Sequence, residues 1–130
     1  MINEEFEQVK DFHRVFMSNA PLSETPILLP ENEVKNRVEF MREEIQEFID
    51  SENIYDQADA MIDLIYFALG TLVEMGVKPK EIFDIVHNAN MTKIWSDRKV
   101  HHREDNGKVI KPPEWQDPYP KIKEAIDKMG

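Results

Sequence analysis

Hydrophobic residues recur along much of the chain at intervals of three and four, which is the spacing of one face of an α-helix. The most regular stripe lies in segment 31–51 and consists of Val34, Val38, Met41, Ile45 and Phe48. A second stripe, near the N-terminus, consists of Phe6, Val9, Phe12 and Phe16. Both patterns predict amphipathic helices, each with one buried face.

Breaking residues indicate where the helices begin and end. Asn3 is the predicted N-cap of the first helix, and Ala20-Pro21 its end. After a proline-containing connector, the second helix should cover 31–51 and a third should follow to Met75, with Gly76 as its left-handed closing residue. The third helix is apolar nearly all round from Ala60 onward, so it should be buried on most sides.

The remainder of the chain predicts a fourth helix that opens at Lys78-Pro79 and a short last helix over 121–129. Between them, 96–120 reads as a loop and hairpin, because Asp105-Asn106-Gly107 is a type I′ turn signal between the arms 100–103 and 108–111. The predicted fold is all-α: one domain over 1–130, an antiparallel bundle of four to five helices completed by oligomerisation, with a short C-terminal hairpin.

Composition and motif content exclude several classes of function. The chain has 130 residues, a net charge of −10 and no cysteine. This charge argues against nucleic acid as a partner, and the lack of cysteine excludes thiolate metal sites. No G-x-x-x-x-G-K-[ST] loop is present, which excludes a P-loop enzyme. The most apolar window, 60–73, is short and contains Asp63, so we expect no membrane partner and a cytoplasmic protein.

Acidic side chains gather on the two central helices, at Glu43, Glu44, Glu47, Asp56, Asp59 and Asp63. A short turn makes the helices antiparallel, so the two acid rows can face each other. Carboxylates about 4 Å apart repel by roughly 4 kcal/mol at an effective dielectric constant of 20. A divalent cation would relieve this repulsion, and Mg²⁺ typically combines carboxylates with substrate phosphates. An ordinary solvated acidic face is the competing interpretation.

These residues also carry a resemblance to a known family. Glu43-Glu44-x-x-Glu47 followed by Asp63 resembles the E-E-x-x-E…E-x-x-D signature of the all-α nucleoside triphosphate (NTP) pyrophosphohydrolases. The downstream elements 87–93 and 107–112, with Trp115, resemble the MazG-like branch. The resemblance implies hydrolysis of an NTP or dNTP to the monophosphate and pyrophosphate, with Mg²⁺ as cofactor and Mn²⁺ as the alternative.

The resemblance also implies roles for individual residues. Glu44, Glu47 and Asp63 would be metal ligands, and Glu43 would be a further ligand or the base, so the catalytic set is Glu43, Glu44 and Glu47. Phosphate or sugar would be bound by Asn90, Lys93, Lys108 and Lys111. One position departs from the signature, because Ala60 stands where its second glutamate is expected. Asp59 could substitute as a metal ligand, or Asp56-x-x-Asp59 could reproduce the motif one turn earlier.

Members of this superfamily form dimers or tetramers, and the apolar perimeter of the third helix also predicts a homodimer or homotetramer. A non-catalytic helical oligomer or nucleotide-binding regulator is the alternative from another class, favoured by Ala60. Phosphoribosyl-ATP pyrophosphohydrolase is an alternative within the superfamily, although the basic C-terminal segment resembles the MazG-like branch better. A di-iron bundle is disfavoured because paired Glu-x-x-His motifs are absent.

Overall fold

The computed structural model describes residues 1–17 and 22–130. Within these residues the chain forms five helices and one two-stranded antiparallel hairpin, so the all-α class is confirmed. The elements are α1 (Ile2–Phe16), α2 (Glu31–Asp50), α3 (Ile54–Met75), α4 (Pro79–Asn90), β1 (His101–His102), β2 (Val109–Ile110) and α5 (Tyr119–Met129). The predicted end of the first helix at Ala20-Pro21 lies outside the described residues.

The predicted end of α3 at Gly76 is confirmed. Gly76 closes α3 with a φ of 69°, a left-handed conformation that glycine adopts without steric cost. Asn53 caps the start of α3, where its side-chain oxygen accepts a hydrogen bond of 2.8 Å from the Asp56 amide. The predicted cap at Asn3 is wrong, because α1 begins at Ile2 with Met1 as its N-cap.

The hairpin is shorter than predicted, and its turn is of a different type. A type I′ turn needs positive φ at both central residues. Among the described residues of this loop only Gly107 has positive φ, at 74°. The Gly107 amide donates to the Arg103 carbonyl over 2.9 Å, and the Arg103 amide donates to the Lys108 carbonyl over 2.8 Å. The connection is therefore a longer loop that uses glycine once.

The chain divides into two compact units, Met1–Pro79 with Met129–Gly130 and Lys80–Lys128. The prediction of one domain over 1–130 is not tested by this division and stays a prediction. Among the described helices, none is by itself long and apolar enough to cross a membrane, and α3 with α4 reaches that length and composition only when the two are counted together.

Three helices, α1, α2 and α3, form the first unit. Its core contains Phe6 and Val9 of α1 packed against Leu69 and Val73 of α3. The apolar stripe of α1 is thus buried over its first half, whereas Phe12 and Phe16 at its other end remain exposed. Burial of each large apolar side chain stabilises the fold by about 1.5–3 kcal/mol.

The face that α2 turns toward α3 carries polar side chains, and part of its apolar stripe remains uncovered within a single chain. The buried residues of α2 are Arg37 and Glu44. Val34, Ile45 and Phe48 of the stripe remain exposed, by 44%, 47% and 40% respectively. Within one chain the third helix also keeps uncovered apolar surface, because Ile62 and Ile65 are exposed. A single chain therefore leaves apolar surface on both central helices.

A buried polar cluster occupies part of the α2–α3 interface instead. The Arg37 guanidinium, whose residue is 3% exposed, donates from Nε to Thr71 Oγ1 over 3.0 Å and from Nη2 to the Phe67 carbonyl over 2.8 Å. Its Nη1 lies 2.9 Å from Glu74 Oε2, and His13 Nε2 contacts the same oxygen at 3.4 Å. Arg37 therefore joins α2 to α3.

Burial alone would raise the pKa of Glu74, but the hydrogen bond with His13 and the charge of Arg37 outweigh burial and lower that pKa. The carboxylate is consequently held in its charged form. Because a buried ion pair is stabilising only when its remaining hydrogen-bonding groups are satisfied, the Thr71 and Phe67 contacts are part of what makes this cluster tolerable.

Gly70 makes room for this cluster on α3. A Cβ atom at this position would lie 2.6 Å from Arg37 Nη2 and 2.9 Å from His13 Cε1. Both distances are shorter than non-bonded contacts allow, so a larger residue would displace the guanidinium from its partners.

We predict that Gly70→Ala lowers the free energy of unfolding by roughly 1–3 kcal/mol, because overpacking displaces Arg37. The sign of this change identifies its cause, since replacing glycine with alanine inside a helix otherwise stabilises the protein by about 1 kcal/mol. Urea denaturation would measure the change. As a control, Ala68→Gly on the exposed side of α3 should lose only the ordinary propensity of about 1 kcal/mol. A more stable Gly70→Ala protein would contradict the close packing described above.

Candidate metal and substrate site

The register of α2 against α3 brings acids from both helices together. The rings of Phe40 and Phe67 pack with their centroids 5.4 Å apart, which places these two residues at the same level. Glu44 lies one turn further along α2, and Asp63 lies one turn back along α3. Because the helices run antiparallel, both steps lead in the same direction, and the two carboxylates meet.

Glu44, Glu47 and Asp63 form the candidate metal site. Each of them offers a carboxylate oxygen, and these three oxygens lie within 4.8 Å of one another. Glu44 is only 8% exposed, Asp63 is half-buried and Glu47 is exposed. Among the described residues, Glu44 Oε2 is a buried side-chain oxygen without a hydrogen-bond partner. An unsatisfied buried oxygen beside two more carboxylates favours a cation as their common ligand.

The electrostatics of the cluster agree with this interpretation. Burial, a side-chain hydrogen bond with Glu47 and the charges of Glu47, Asp63 and Asp59 raise the pKa of Glu44 to about 7. Burial and the charges of Asp59 and Glu47 also raise the pKa of Asp63. In the absence of a cation, the cluster therefore lowers its charge by holding a proton on Glu44 near neutral pH.

The other acids of the predicted site lie around this group. Asp59 contributes charge to both Glu44 and Asp63, although its oxygens are outside the group of three that converge. Together with Glu47, Asp50 and Asp56 it lines an open cavity of about 270 Å³. Ala60, which stands where the signature has its second glutamate, is buried, with 1% of its surface exposed. Asp59 as a metal ligand and the exposed Glu43 as a catalytic group stay predictions.

Asp56 has a local partner at the start of α3. Its carboxylate accepts a hydrogen bond of 2.9 Å from the Asn53 side chain, and its amide is capped by the same residue. An acid in the first turn of a helix also interacts favourably with the helix dipole. The position of Asp56 is thus explained by helix capping without any ligand.

The predicted phosphate-binding residues lie in the second unit, where two of them meet over an indole ring. Trp115 is fixed by a hydrogen bond of 2.8 Å from its Nε1 to the Ala89 carbonyl. Lys93 Nζ and Lys111 Nζ lie 5.0 Å and 5.6 Å from the centre of this ring, which is cation–π geometry. Their convergence on Trp115 could not be predicted from spacing, because they lie 18 residues apart in the sequence.

Asn90 and Lys108 are both exposed. The Asn90 carbonyl accepts from the Lys93 amide over 3.2 Å at the end of α4, and the Lys108 amide donates to Asn106 Oδ1 over 3.0 Å in the hairpin loop. These contacts involve their backbone atoms, so both side chains stay predictions as phosphate ligands.

Comparison with known proteins agrees with the class of protein that the helical fold and acid cluster indicate, the all-α NTP pyrophosphohydrolases. The family model described as phosphoribosyl-ATP pyrophosphohydrolase matches residues 9–90, which contain the three clustered carboxylates. The chain belongs to this family and is therefore a hydrolase acting on pyrophosphate bonds. The resemblance to the superfamily is confirmed.

No curated protein matches the chain. One similar solved structure is that of a provisionally assigned NTP pyrophosphohydrolase from Exiguobacterium sp. 255-15, with 25% sequence identity. The match covers 95% of this chain and 94% of that chain at a TM-score of 0.49.

We predict that the raised pKa of Glu44 makes the metal-free protein less stable as pH rises. Between the unfolded pKa of about 4.5 and the folded value of about 7, the folded state holds a proton that the unfolded state releases. Unfolding consequently becomes easier across this range and levels off above it. Relative to wild type, the free energy of unfolding of Glu44→Gln should increase by roughly 1–3 kcal/mol as the pH rises from 5 to 8. Urea denaturation in the presence of a chelator would measure this change.

The matched control is Glu43→Gln, which changes the neighbouring and exposed glutamate. Its stability relative to wild type should vary much less over the same pH range. If the two variants showed the same pH dependence, the buried proton would not reside on Glu44.

Proposed function

We propose that this protein hydrolyses a nucleoside triphosphate to the monophosphate and pyrophosphate with a divalent cation bound by Glu44, Glu47 and Asp63. The observation that carries the proposal is the convergence of these three carboxylates, with an unpartnered Glu44 oxygen among them. Family membership supports cleavage of a pyrophosphate bond, and the nucleotide as substrate follows from that chemistry.

The residues at the site fit a hard cation. All three candidate ligands are carboxylates, and oxygen donors are preferred by Mg²⁺ and Mn²⁺. When bound, the cation supplies positive charge that offsets both the carboxylates and the phosphates of the substrate. Mg²⁺ is the proposed cofactor, with Mn²⁺ as the alternative. Asp59 lies close enough to Asp63 to add negative charge to the site.

The chain's own groups would orient the substrate and manage the proton of the attacking water. The water oxygen forms a bond to phosphorus, the phosphoanhydride bond breaks and pyrophosphate leaves. One glutamate of the set Glu43, Glu44 and Glu47 accepts the water proton. Glu43 is exposed one residue before Glu44, outside the three ligands, and so remains free for this role. Lys93 and Lys111 are the cations proposed to bind phosphate.

Phosphoribosyl-ATP is the second candidate substrate, because the matching family carries that name. The match ends at residue 90, and the segment that resembles the MazG-like branch lies largely beyond it. The two candidates can be separated by comparing pyrophosphate release from phosphoribosyl-ATP with release from ordinary NTPs and dNTPs.

A second copy of the chain is proposed to cover the apolar surface of the first unit. The uncovered residues include Val34, Ile45 and Phe48 on α2 and Ile62 and Ile65 on α3. The apolar residues of α2 have the regular spacing of a buried helix face, yet α3 leaves Val34, Ile45 and Phe48 uncovered. A homodimer or homotetramer would bury these side chains.

We predict pyrophosphate release from NTPs or dNTPs in the presence of Mg²⁺. Glu47→Gln and Asp63→Asn should each reduce kcat/KM by at least roughly 100-fold, since even residues that only support metal ligands contribute 10–100-fold. The matched control, Glu52→Gln in the turn before α3, should retain activity because Glu52 is not part of the converging group.

Release of orthophosphate instead of pyrophosphate would show that a different bond is cleaved. If neither nucleotides nor phosphoribosyl-ATP were hydrolysed, and Mg²⁺ binding by calorimetry were the same in both acid variants and wild type, the non-catalytic regulator would be favoured.

For the oligomer, we predict that wild type elutes as two or four chains in size exclusion with light scattering, and that Ile45→Glu or Ile62→Glu shifts it toward smaller species. A charged side chain in a contact between copies would be desolvated without a partner. Ile94→Glu, which changes an exposed isoleucine outside α2 and α3, is the control. A monomeric wild-type protein would contradict the proposal.

A further inference from the structure

A small cavity lies between α1, α2 and α3, one helical turn from the acid cluster. Its volume is about 190 Å³. Four aromatic side chains line it, Phe12, Phe40, Tyr66 and Phe67. Phe40 lies one turn before Glu44 on α2, and Phe67 lies one turn after Asp63 on α3, so the cavity begins roughly 5.4 Å along the helices from the carboxylates.

The lining presents rings rather than hydrogen-bonding groups. Phe40 and Phe67 pack at 5.4 Å with an angle of 31°, and Phe12 and Tyr66 pack edge to face at 5.7 Å. A whole nucleotide needs more room, since pockets for drug-sized ligands usually measure 300–1,000 Å³. The size and the aromatic lining suit a single planar ring system.

The polar side chains that border the cavity already have partners. His13 contacts the Val9 carbonyl through Nδ1 at 3.1 Å and Glu74 through Nε2 at 3.4 Å. Each nitrogen of the Arg37 guanidinium likewise has a partner on α3, at Thr71, Phe67 and Glu74. These residues are therefore committed to holding the helices together.

We propose that this cavity takes the base of the substrate nucleotide and binds it by stacking, without reading the hydrogen-bonding edge of the base. The proposal rests on the proposed function, which places the phosphates at the neighbouring acid cluster. A site built on hydrogen bonds to a substrate rejects an analogue by 10⁴–10⁵-fold, whereas an apolar pocket discriminates by about 10–200-fold. The protein should consequently accept purine and pyrimidine nucleotides alike.

The test uses equilibrium binding, so that it does not depend on turnover. The full chain is titrated by calorimetry, with Mg²⁺ present, with the α,β-methylene triphosphates of adenosine, guanosine, cytidine and uridine, which cannot be hydrolysed between the α- and β-phosphates. We expect the four Kd values to lie within about 200-fold of one another. A wider spread, or no binding, would overturn the proposal.

A variant then tests the location of the base. Phe12→Ala should weaken binding of all four analogues about 5- to 150-fold, because stacking on an aromatic side chain is worth about 1–3 kcal/mol per base. Phe12 is 39% exposed, so the change costs little core packing. Val15→Ala is the control, since Val15 is 68% exposed on the same helix and does not line the cavity. Unchanged Kd values in Phe12→Ala would contradict the assignment of the cavity.

The outcomes separate the two proposals. If the analogues bind as expected but no nucleotide releases pyrophosphate, the proposed function fails and the base cavity stands. If pyrophosphate is released while Phe12→Ala binds like wild type, the proposed function stands and the cavity has another role.

Discussion

Arg37 and Glu74 form an ion pair of 2.9 Å in the interface between α2 and α3, and the positions of the other groups in this interface depend on it. Removing one partner of a buried pair leaves an uncompensated charge and typically costs 3–5 kcal/mol. The Arg37 guanidinium also reaches Thr71 and the Phe67 carbonyl, so it contacts two successive turns of α3. Sliding α2 along α3 would break all of these contacts together, which fixes the register of the two helices.

The same register brings the carboxylates of Glu44 and Asp63 together two turns away. Glu44 follows Arg37 by two turns on α2, and Asp63 precedes Gly70 by two turns on α3. Both pairs of positions are therefore level across the antiparallel interface. A stable ion pair at one end thus holds mutually repelling carboxylates together at the other. This arrangement is how the fold can keep Glu44 buried with an oxygen that has no protein partner.

Elements governed by local chemistry could be predicted from the sequence. The end of α3 follows from a left-handed Gly76, and the acid cluster follows from the spacing of Glu44, Glu47 and Asp63 along two helices. The hairpin turn was predicted less well, because Asn106 tolerates left-handed φ without requiring it and here only Gly107 adopts it.

The neighbours of α2 could not be predicted from its own periodicity. An apolar stripe shows which face avoids water, but not whether α3 or another chain covers it. A charged residue such as Arg37 is also expected on the surface unless it is paired. Its partner Glu74 lies far away in the sequence, so no local pattern connects them. One available signal was Gly70 in the interior of α3, since a glycine inside a helix can indicate close approach of another group.

Proton and cation are alternative ways of relieving the same excess negative charge. Near neutral pH the metal-free cluster can retain a proton on Glu44, which reduces the repulsion among the carboxylates in the folded state. Binding of a divalent cation by the three carboxylates would instead favour the ionised form and release that proton. Ala60 reduces the same repulsion, because a further carboxylate there, level with Glu47 in the same register, would add negative charge to the cluster. The negative charge of the cluster thus favours a cation, and the proton on Glu44 limits the repulsion among the carboxylates when no cation is bound.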